Sequence, residues 1–179
     1  QLLSFIKKFK NKNFLIDPKF LPLKIKNDLE SNLININTIS CPIEKFKSIK
    51  NVNELNGFKI AHLKDGLAIL KLFFWIQKNI DSKQLTEMII SKKLFHIRKL
   101  DKTFVSESFS TISAFNDNGA IVHYKANKIS NKKIDCYGLY LIDSGAHYLD
   151  GTTDVTRTLL IGIASIEMVE DYTDVLKGH

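Results

Sequence analysis

At 179 residues, with 44% hydrophobic and 25% charged residues, the chain has a globular composition with room for a real core, which excludes a disordered or low-complexity segment. Lys and Arg number 26 against 19 Asp and Glu, a formal net charge of +7, but the lysines are scattered among asparagines and isoleucines and form no aromatic-interleaved basic stripe. The expectation is a lysine-rich, solvated surface with no nucleic-acid partner, and no membrane partner either, because no apolar run approaches the ~20 residues of a bilayer span.

The N-terminal QLLSFIKKFKNKN carries too many lysines and asparagines through its apolar positions for a signal peptide. It opens on Gln and the C-terminal VLKGH stops inside a helical pattern, so both ends read as cut. Cys41 and Cys136 belong to no CxxC pair or metal-ligand pattern, which points to a reducing, cytoplasmic compartment.

Residues 1 to about 50 alternate short apolar runs, Phe14 to Ile16 and Leu33 to Ile36, with Pro18, Pro22 and Pro42, a pattern of short strands and helices in an α/β unit. Asp17 before Pro18 is a turn residue. From Asn53 a long amphipathic helix is predicted, with Leu55, Phe58, Ala61, Leu67, Leu70, Phe73, Phe74 and Trp75 near helical spacing and lysines between them. Its aromatic cluster is expected in the core. Asp81 and Ser82 interrupt it, and Thr86 caps a second helix whose apolar stripe is Ile89, Ile90, Leu94 and Ile97. His62 and His96 sit among lysines and are expected in solvent.

After Asp101 the pattern turns to strands: FSTISAF alternates, NDNG is a turn, AIVHY is a short β-rich run, and LYLIDSG and TTDVTRTLLIG flank an Asp150-Gly151 turn. SIEMVEDYTDVLKGH returns to helical spacing, with Ile166, Val169, Tyr172 and Val175 on one side. Helices, then strands, then a helix make an α+β order with an antiparallel sheet flanked by helices.

The stretch DSGAHYLDGTTDVTRT places Asp143 and Asp154 in segments that otherwise favour strands, where aspartate is depleted. Paired across the turn, the two fall nearly opposite each other, within a residue or two of register, and opposed residues have Cβ atoms about 4.5–5.5 Å apart. Two carboxylates that close raise each other's pKa unless a positive charge compensates, and a divalent cation supplies it. A pair of cations ~3.5–4 Å apart is also the common device for activating a water. Spacing alone leaves a second reading open, a hairpin whose aspartates hydrogen-bond amides and threonines.

The run DSGAHYLDGTTDVTRT, with GAIVHY before it, resembles the catalytic domain of aminopeptidase P, the Xaa-Pro aminopeptidases of the pita-bread metallopeptidase family, in their large cytosolic type. CPIEKFKSIKNVNELNGFKIAHLKDG resembles the linker and first catalytic helix, SFSTISAFNDNGAIVHY the substrate-pocket strand, and DYTDVLKGH the helix after the metal hairpin. The resemblance implies a partial pita-bread fold. Residues 1–50 would be the end of a noncatalytic, creatinase-like middle domain and linker, and 51–179 the truncated N-terminal half of the catalytic domain.

It further implies a metal-dependent aminopeptidase that releases an N-terminal residue preceding proline through a metal-bridged hydroxide. Its substrates would be peptides with proline in second position, and it would use two divalent metal ions, Mn2+ first and Zn2+ or Co2+ as alternatives. A homodimer is left open. Asp143 corresponds to the first aspartate ligand and Asp154 to the second, which bridges both metals. His123 corresponds to a histidine near the substrate that acts on the groups around the scissile bond, and it is expected on a strand bordering the same pocket.

Where the family usually has Gln, this chain has His147, expected to point along the hairpin away from the carboxylates. The family's remaining ligands, a histidine and two glutamates, lie further along, and His179 matches a helix residue rather than any of them. The segment by itself is therefore expected to be inactive. The rival class is a noncatalytic pita-bread protein that binds a peptide, a histone tail or nucleic acid. It and a metal-free amidinohydrolase of the same fold have no reason to keep Asp143 and Asp154.

Overall fold

A computed structural model describes residues 2–9, 12–32, 34–81 and 84–179. Leu33 and Ser82, which enter the readings above, lie outside the described residues. The chain divides into two compact units, Gln1–Asn51 and Val52–His179.

In the first unit, β1 (Phe14–Ile16) and β2 (Ile36–Thr38) pair in parallel, with Phe14 opposite Ile36. Parallel neighbours need a crossover, and helix α2 (Leu23–Ser31) provides it. Helices α1 (Leu2–Ile6) and α3 (Pro42–Ser48) complete the unit. Ile6, Leu29 and Ile34 form its small core, with Phe14, Ile25 and Ile36 packed against them. Asp17 does more than start a turn: one oxygen accepts from the Lys19 amide at 2.9 Å and the other from the Cys41 amide at 2.7 Å, tying the end of β1 to the start of α3.

The second unit opens with α4 (Val52–Asn79) and α5 (Glu87–Arg98). Thr86 caps α5, its hydroxyl accepting from the Ile89 amide. β4 (Ile112–Phe115), β5 (Gly138–Ser144) and β7 (Val155–Ile161) form an antiparallel sheet with β5 in the centre, while β3 (Phe104–Glu107) pairs with β6 (Ala146–Tyr148). One face of the larger sheet carries Phe115, Tyr140, Ile142 and Ile161, and these pack on Ala68, Ile69, Leu72 and Ile76 of α4 and on Ile90 and Leu94 of α5. The unit closes with α6 (Ile166–Gly178), capped by the Ser165 hydroxyl.

The buried stripe of α4 is Ala61, Asp65, Ala68, Ile69, Leu72 and Ile76, not the one read from the aromatic positions. Three consecutive residues sweep about 200° of a helix and cannot share one face. Phe73 and Trp75 accordingly lean on the core from its flanks, while Phe74 is 63% exposed and Leu67 and Leu70 face outward. In α5, Ile90 and Leu94 are buried and Ile89 is exposed. The apolar side of α6, from Ile166 to Val175, is helical as expected yet exposed. His62 and His96 are exposed, each ring bonded to the carbonyl one turn back. Among the described residues no helix is long and apolar enough to cross a membrane.

Where the Asp150-Gly151 turn meets α4, the Tyr148 amide donates to the Gly151 carbonyl at 2.8 Å, and Lys64 of α4 pairs with Asp150. The backbones approach so closely that a Cβ on Gly57 would overlap the Asp150 carbonyl oxygen, whereas one on Gly66 would meet nothing within 4 Å. Ala is the better helix former, so Gly66→Ala should stabilise the fold by about 0.5–1 kcal/mol. Gly57→Ala should instead destabilise it by about 1–3 kcal/mol, because the turn must move. Urea denaturation of the two variants measures both, and shifts of the same sign would contradict the close approach.

Candidate metal centre

The hairpin β5–β7 runs in the register Asp143 opposite Thr156 and Ser144 opposite Val155. Alternation divides it into two faces. Tyr140, Ile142 and Val155 turn to the helices, and Leu141, Asp143, Thr156 and Thr158 turn to the other side. The Thr156 hydroxyl donates to Asp143 Oδ1 at 2.9 Å, which fixes both side chains on that open face. Asp154 lies just before β7, exposed, next to a Thr153 that is buried. Carrying the alternation of β7 back past Val155 puts Asp154 on the side of Thr156, and so of Asp143.

The two aspartates are thus diagonal rather than directly opposed. Diagonal positions on regular strands are about 7–8 Å apart, less between Cβ atoms, so the carboxylates flank a space instead of pressing on each other. Among the described residues no hydrogen bond or ion pair engages the second oxygen of Asp143. Among the described residues no hydrogen bond or ion pair engages Asp154, and none of the ion pairs involves either aspartate. On a chain with a net charge of +7, two carboxylates on one face without a Lys or Arg partner leave negative charge uncompensated.

That donor set, hard oxygens with open valences, suits divalent cations of the Mg, Ca or Mn type best. It is a partial set: among the described residues no three His, Cys, Asp or Glu side chains converge to hold an ion. His147 points as expected, its Nδ1 2.9 Å from Thr152 Oγ1 along the hairpin rather than toward the carboxylates. His179 is exposed at the end of α6. An apolar groove of about 420 Å3 between α4 and β7, with Phe73, Phe74, Ile80, Leu159 and Gly162 among its lining, contains no ionisable group and no part of this site.

What holds the aspartates in place lies beneath them. Asp65 of α4 and Arg98 of α5, both fully buried, form a bidentate ion pair, Nε to Oδ1 at 2.7 Å and a terminal nitrogen to Oδ2 at 3.0 Å. Their remaining hydrogen-bonding capacity goes to the hairpin. Arg98 donates to Ser144 Oγ at 3.0 Å and to the Gly145 carbonyl, while Asp65 accepts from the Tyr148 hydroxyl at 3.0 Å and from Thr153 Oγ1 at 2.9 Å. Burial, and then the Asp65 carboxylate, push the Tyr148 phenol above its ordinary range, so it remains a donor. Ser144 adjoins Asp143 and Thr153 adjoins Asp154. Each candidate ligand therefore has an immediate neighbour anchored to the same ion pair.

Sequence reasoning missed Asp65 and Arg98, since a charged residue in a helix is normally solvated. The one available signal was the position of Asp65, four residues after Ala61 and three before Ala68, on one face of α4.

His123 is not on a strand. AIVHY forms the end of a 3-10 helix (Asn116–Ala120) and a turn, with Ile121, Val122 and His123 exposed. His123 itself has φ of 55°, a left-handed conformation that histidine adopts more readily than most residues. The β-rich composition lost to tertiary hydrogen bonds, because Asn118 and Tyr124 on either side both turn inward to a buried acceptor, Glu87. The segment does approach the open face: a Cβ on Gly119 would touch Leu141 Cβ at 3.8 Å, and Leu141 shares the side of Asp143.

The model of metallopeptidase family M24 matches residues 56–179, and the chain belongs to that family. It is 45% identical over 142 residues to Xaa-Pro aminopeptidase 1 of Dictyostelium discoideum, covering 77% of this chain and 22% of that relative. It is 44% identical over 147 residues to a probable Xaa-Pro aminopeptidase P of Arthroderma benhamiae, covering 81% and 21%. The chain thus spans about a fifth of the length of these relatives.

Among solved structures, it resembles an X-prolyl aminopeptidase of Caenorhabditis elegans, described as a cytosolic enzyme with a di-nuclear active site. The TM-score is 0.75 and the identity 28%, over 93% of this chain and 35% of that one. A prolidase of Pyrococcus horikoshii shares the fold at a TM-score of 0.80 and 23% identity, over 99% and 49%. The architecture is α+β, a partial pita-bread fold.

The ion pair gives the site its first test. Arg98→Ala strips the counter-charge from a fully buried Asp65 and should cost about 3–5 kcal/mol of stability by urea denaturation. A loss below about 1 kcal/mol would show that the hairpin does not depend on the pair.

Proposed function

We propose that the chain is part of a metal-dependent aminopeptidase that releases the N-terminal residue preceding proline. The observation that carries the reading is the carboxylate pair on the open sheet face, Asp143 with one oxygen and Asp154 with both unbonded among the described residues, each next to a residue anchored in the core. The names of the relatives support this specificity. Residues 51–179 act as the N-terminal half of the catalytic domain and residues 1–50 as the end of a noncatalytic middle domain and linker. The histidine and two glutamates that complete the ligand set come from outside this segment.

In this reading Asp143 and Asp154 hold two divalent cations. Mn2+ suits the oxygen donors best, and the same ligands accept Zn2+ or Co2+. When bound, the cations supply an activated water and polarise the scissile carbonyl. The chain's own residues set the stage for that chemistry. Asp143 and Asp154 fix the position of the charge, and Thr156 orients the Asp143 carboxylate through its hydrogen bond. His123, presented on an exposed turn, acts on the groups around the scissile bond as hydrogen-bond donor or proton carrier. The substrates are peptides with proline in second position, and the enzyme works in the cytoplasm, either alone or as a homodimer.

The intact protein, supplied with Mn2+, should hydrolyse an Xaa-Pro peptide and lose that activity on chelation. Asp154→Asn should lower kcat/KM by more than about 100-fold, beyond what loss of an outer-shell partner costs a metal enzyme. The 179-residue segment by itself should show no hydrolysis and only weak, nonstoichiometric Mn2+ binding by calorimetry. Turnover by the segment that disappears on Asp154→Asn would contradict the divided site.

A further inference from the structure

Glu87 stands at the first position of α5, fully buried and without a cationic partner among the described residues. Four donors converge on its carboxylate. Oε1 accepts from the Phe115 amide at 2.7 Å and from Asn118 Nδ2 at 2.9 Å. Oε2 accepts from the Tyr124 hydroxyl at 2.7 Å and from the Lys132 amide at 3.0 Å. The Glu87 amide donates to the Lys132 carbonyl, and the Glu87 carbonyl accepts from Ser113 Oγ of β4. All four donors belong to residues 115–132, the stretch that carries His123.

We infer that Glu87 is a positioning residue for His123: one buried carboxylate fixes both ends and the middle of the loop, so that His123 is held in its left-handed turn facing the substrate. The inference rests on the role given to His123 under Proposed function. Its physical basis is the acceptor-only character of a carboxylate. Asn118 Nδ2 also reaches the Tyr124 hydroxyl at 2.8 Å, but the Phe115 and Lys132 amides are donors only, and no neutral side chain of this size accepts from all four groups. The flanking residues Asn118 and Tyr124 are drawn inward, which forces the chain between them outward through Ile121, Val122 and His123, all exposed. A left-handed residue held by its surroundings in this way marks stored local strain. Releasing the carboxylate lets the loop relax toward the extended strand that AIVHY favours by composition, and His123 then points elsewhere.

The test is Glu87→Gln in the intact protein with Mn2+ and an Xaa-Pro peptide, alone and combined with His123→Ala. Gln keeps the shape but turns one acceptor into a donor that faces two donors. Glu87→Gln should lower kcat by about 10–100-fold, the range for loss of a residue that orients another, with KM and bound Mn2+ stoichiometry unchanged. Amide exchange should quicken within residues 115–132. In the His123→Ala background Glu87→Gln should change kcat by less than about two-fold, because residues that act as one unit are not additive.

An equal kcat loss with and without His123, or a loss of bound Mn2+ in place of a kcat effect, would overturn the inference while leaving the aminopeptidase reading intact. Full activity of His123→Ala would overturn the assigned role of His123 and the inference with it. If Glu87→Gln fails to fold, Tyr124→Phe decides. It removes one of the four donors, and it should cost kcat about 3–10-fold, scaled down from the same range, only while His123 is present; unchanged kcat in Tyr124→Phe would sink the proposal.

Discussion

The second unit is organised around the buried ion pair of Asp65 and Arg98. A pair taken out of water gains little net stability over apolar residues of the same volume, because desolvation offsets most of the attraction. Its effect lies in geometry. A guanidinium and a carboxylate with no access to water must satisfy every remaining valence from the protein, and Ser144, Gly145, Tyr148 and Thr153 are the groups that do so. The corner of the hairpin between β5 and β7 is thereby bolted to two helices at once. A slip of one residue would turn Ser144 or Thr153 outward and leave a buried charge short of partners.

Four carboxylates of this unit fall into two kinds. Asp65 and Glu87 are fully buried and saturated, one by Arg98 and two hydroxyls, the other by four neutral donors. Asp143 and Asp154 sit on the open face, and their oxygens are largely unclaimed. The contrast is what makes the exposed pair informative. Among the described residues no buried side-chain nitrogen or oxygen lacks a partner. Asp143 and Asp154 stand on the open face beside Ser144 and Thr153, which are anchored to the buried ion pair, and in the proposed function a cation completes them.

Much of this was legible beforehand. The Asp150-Gly151 turn between two alternating runs is the hairpin, Thr86 is the cap of α5, and the SIEMVEDYTDVLKGH periodicity is α6. The face of α4 was not, because the part of its buried stripe next to Asp65 is the small Ala61 and Ala68, while larger residues such as Leu67, Leu70 and Phe74 face out. Hydrophobic periodicity weights size and counts a charge as solvent-facing, and both habits mislead at a helix whose inward face must admit a guanidinium. AIVHY failed for a related reason. Local β preference is worth less than four hydrogen bonds to a buried carboxylate, and nothing in the sequence announces that Glu87 and residues 115–132 meet. The exact register, with Asp143 facing Thr156 and Asp154 set diagonally, needed the structure as well.

In the proposed function Asp143 and Asp154 together hold a divalent cation. The most direct measurement is a crystal structure of the intact protein grown with Mn2+, with anomalous diffraction recorded to locate the ion. The account predicts an anomalous peak within ~2.2 Å of an oxygen from each aspartate, the usual length for a metal–carboxylate bond. Ordered Mn2+ elsewhere in the molecule, with both carboxylates free or bonded only to threonines and water, would contradict it.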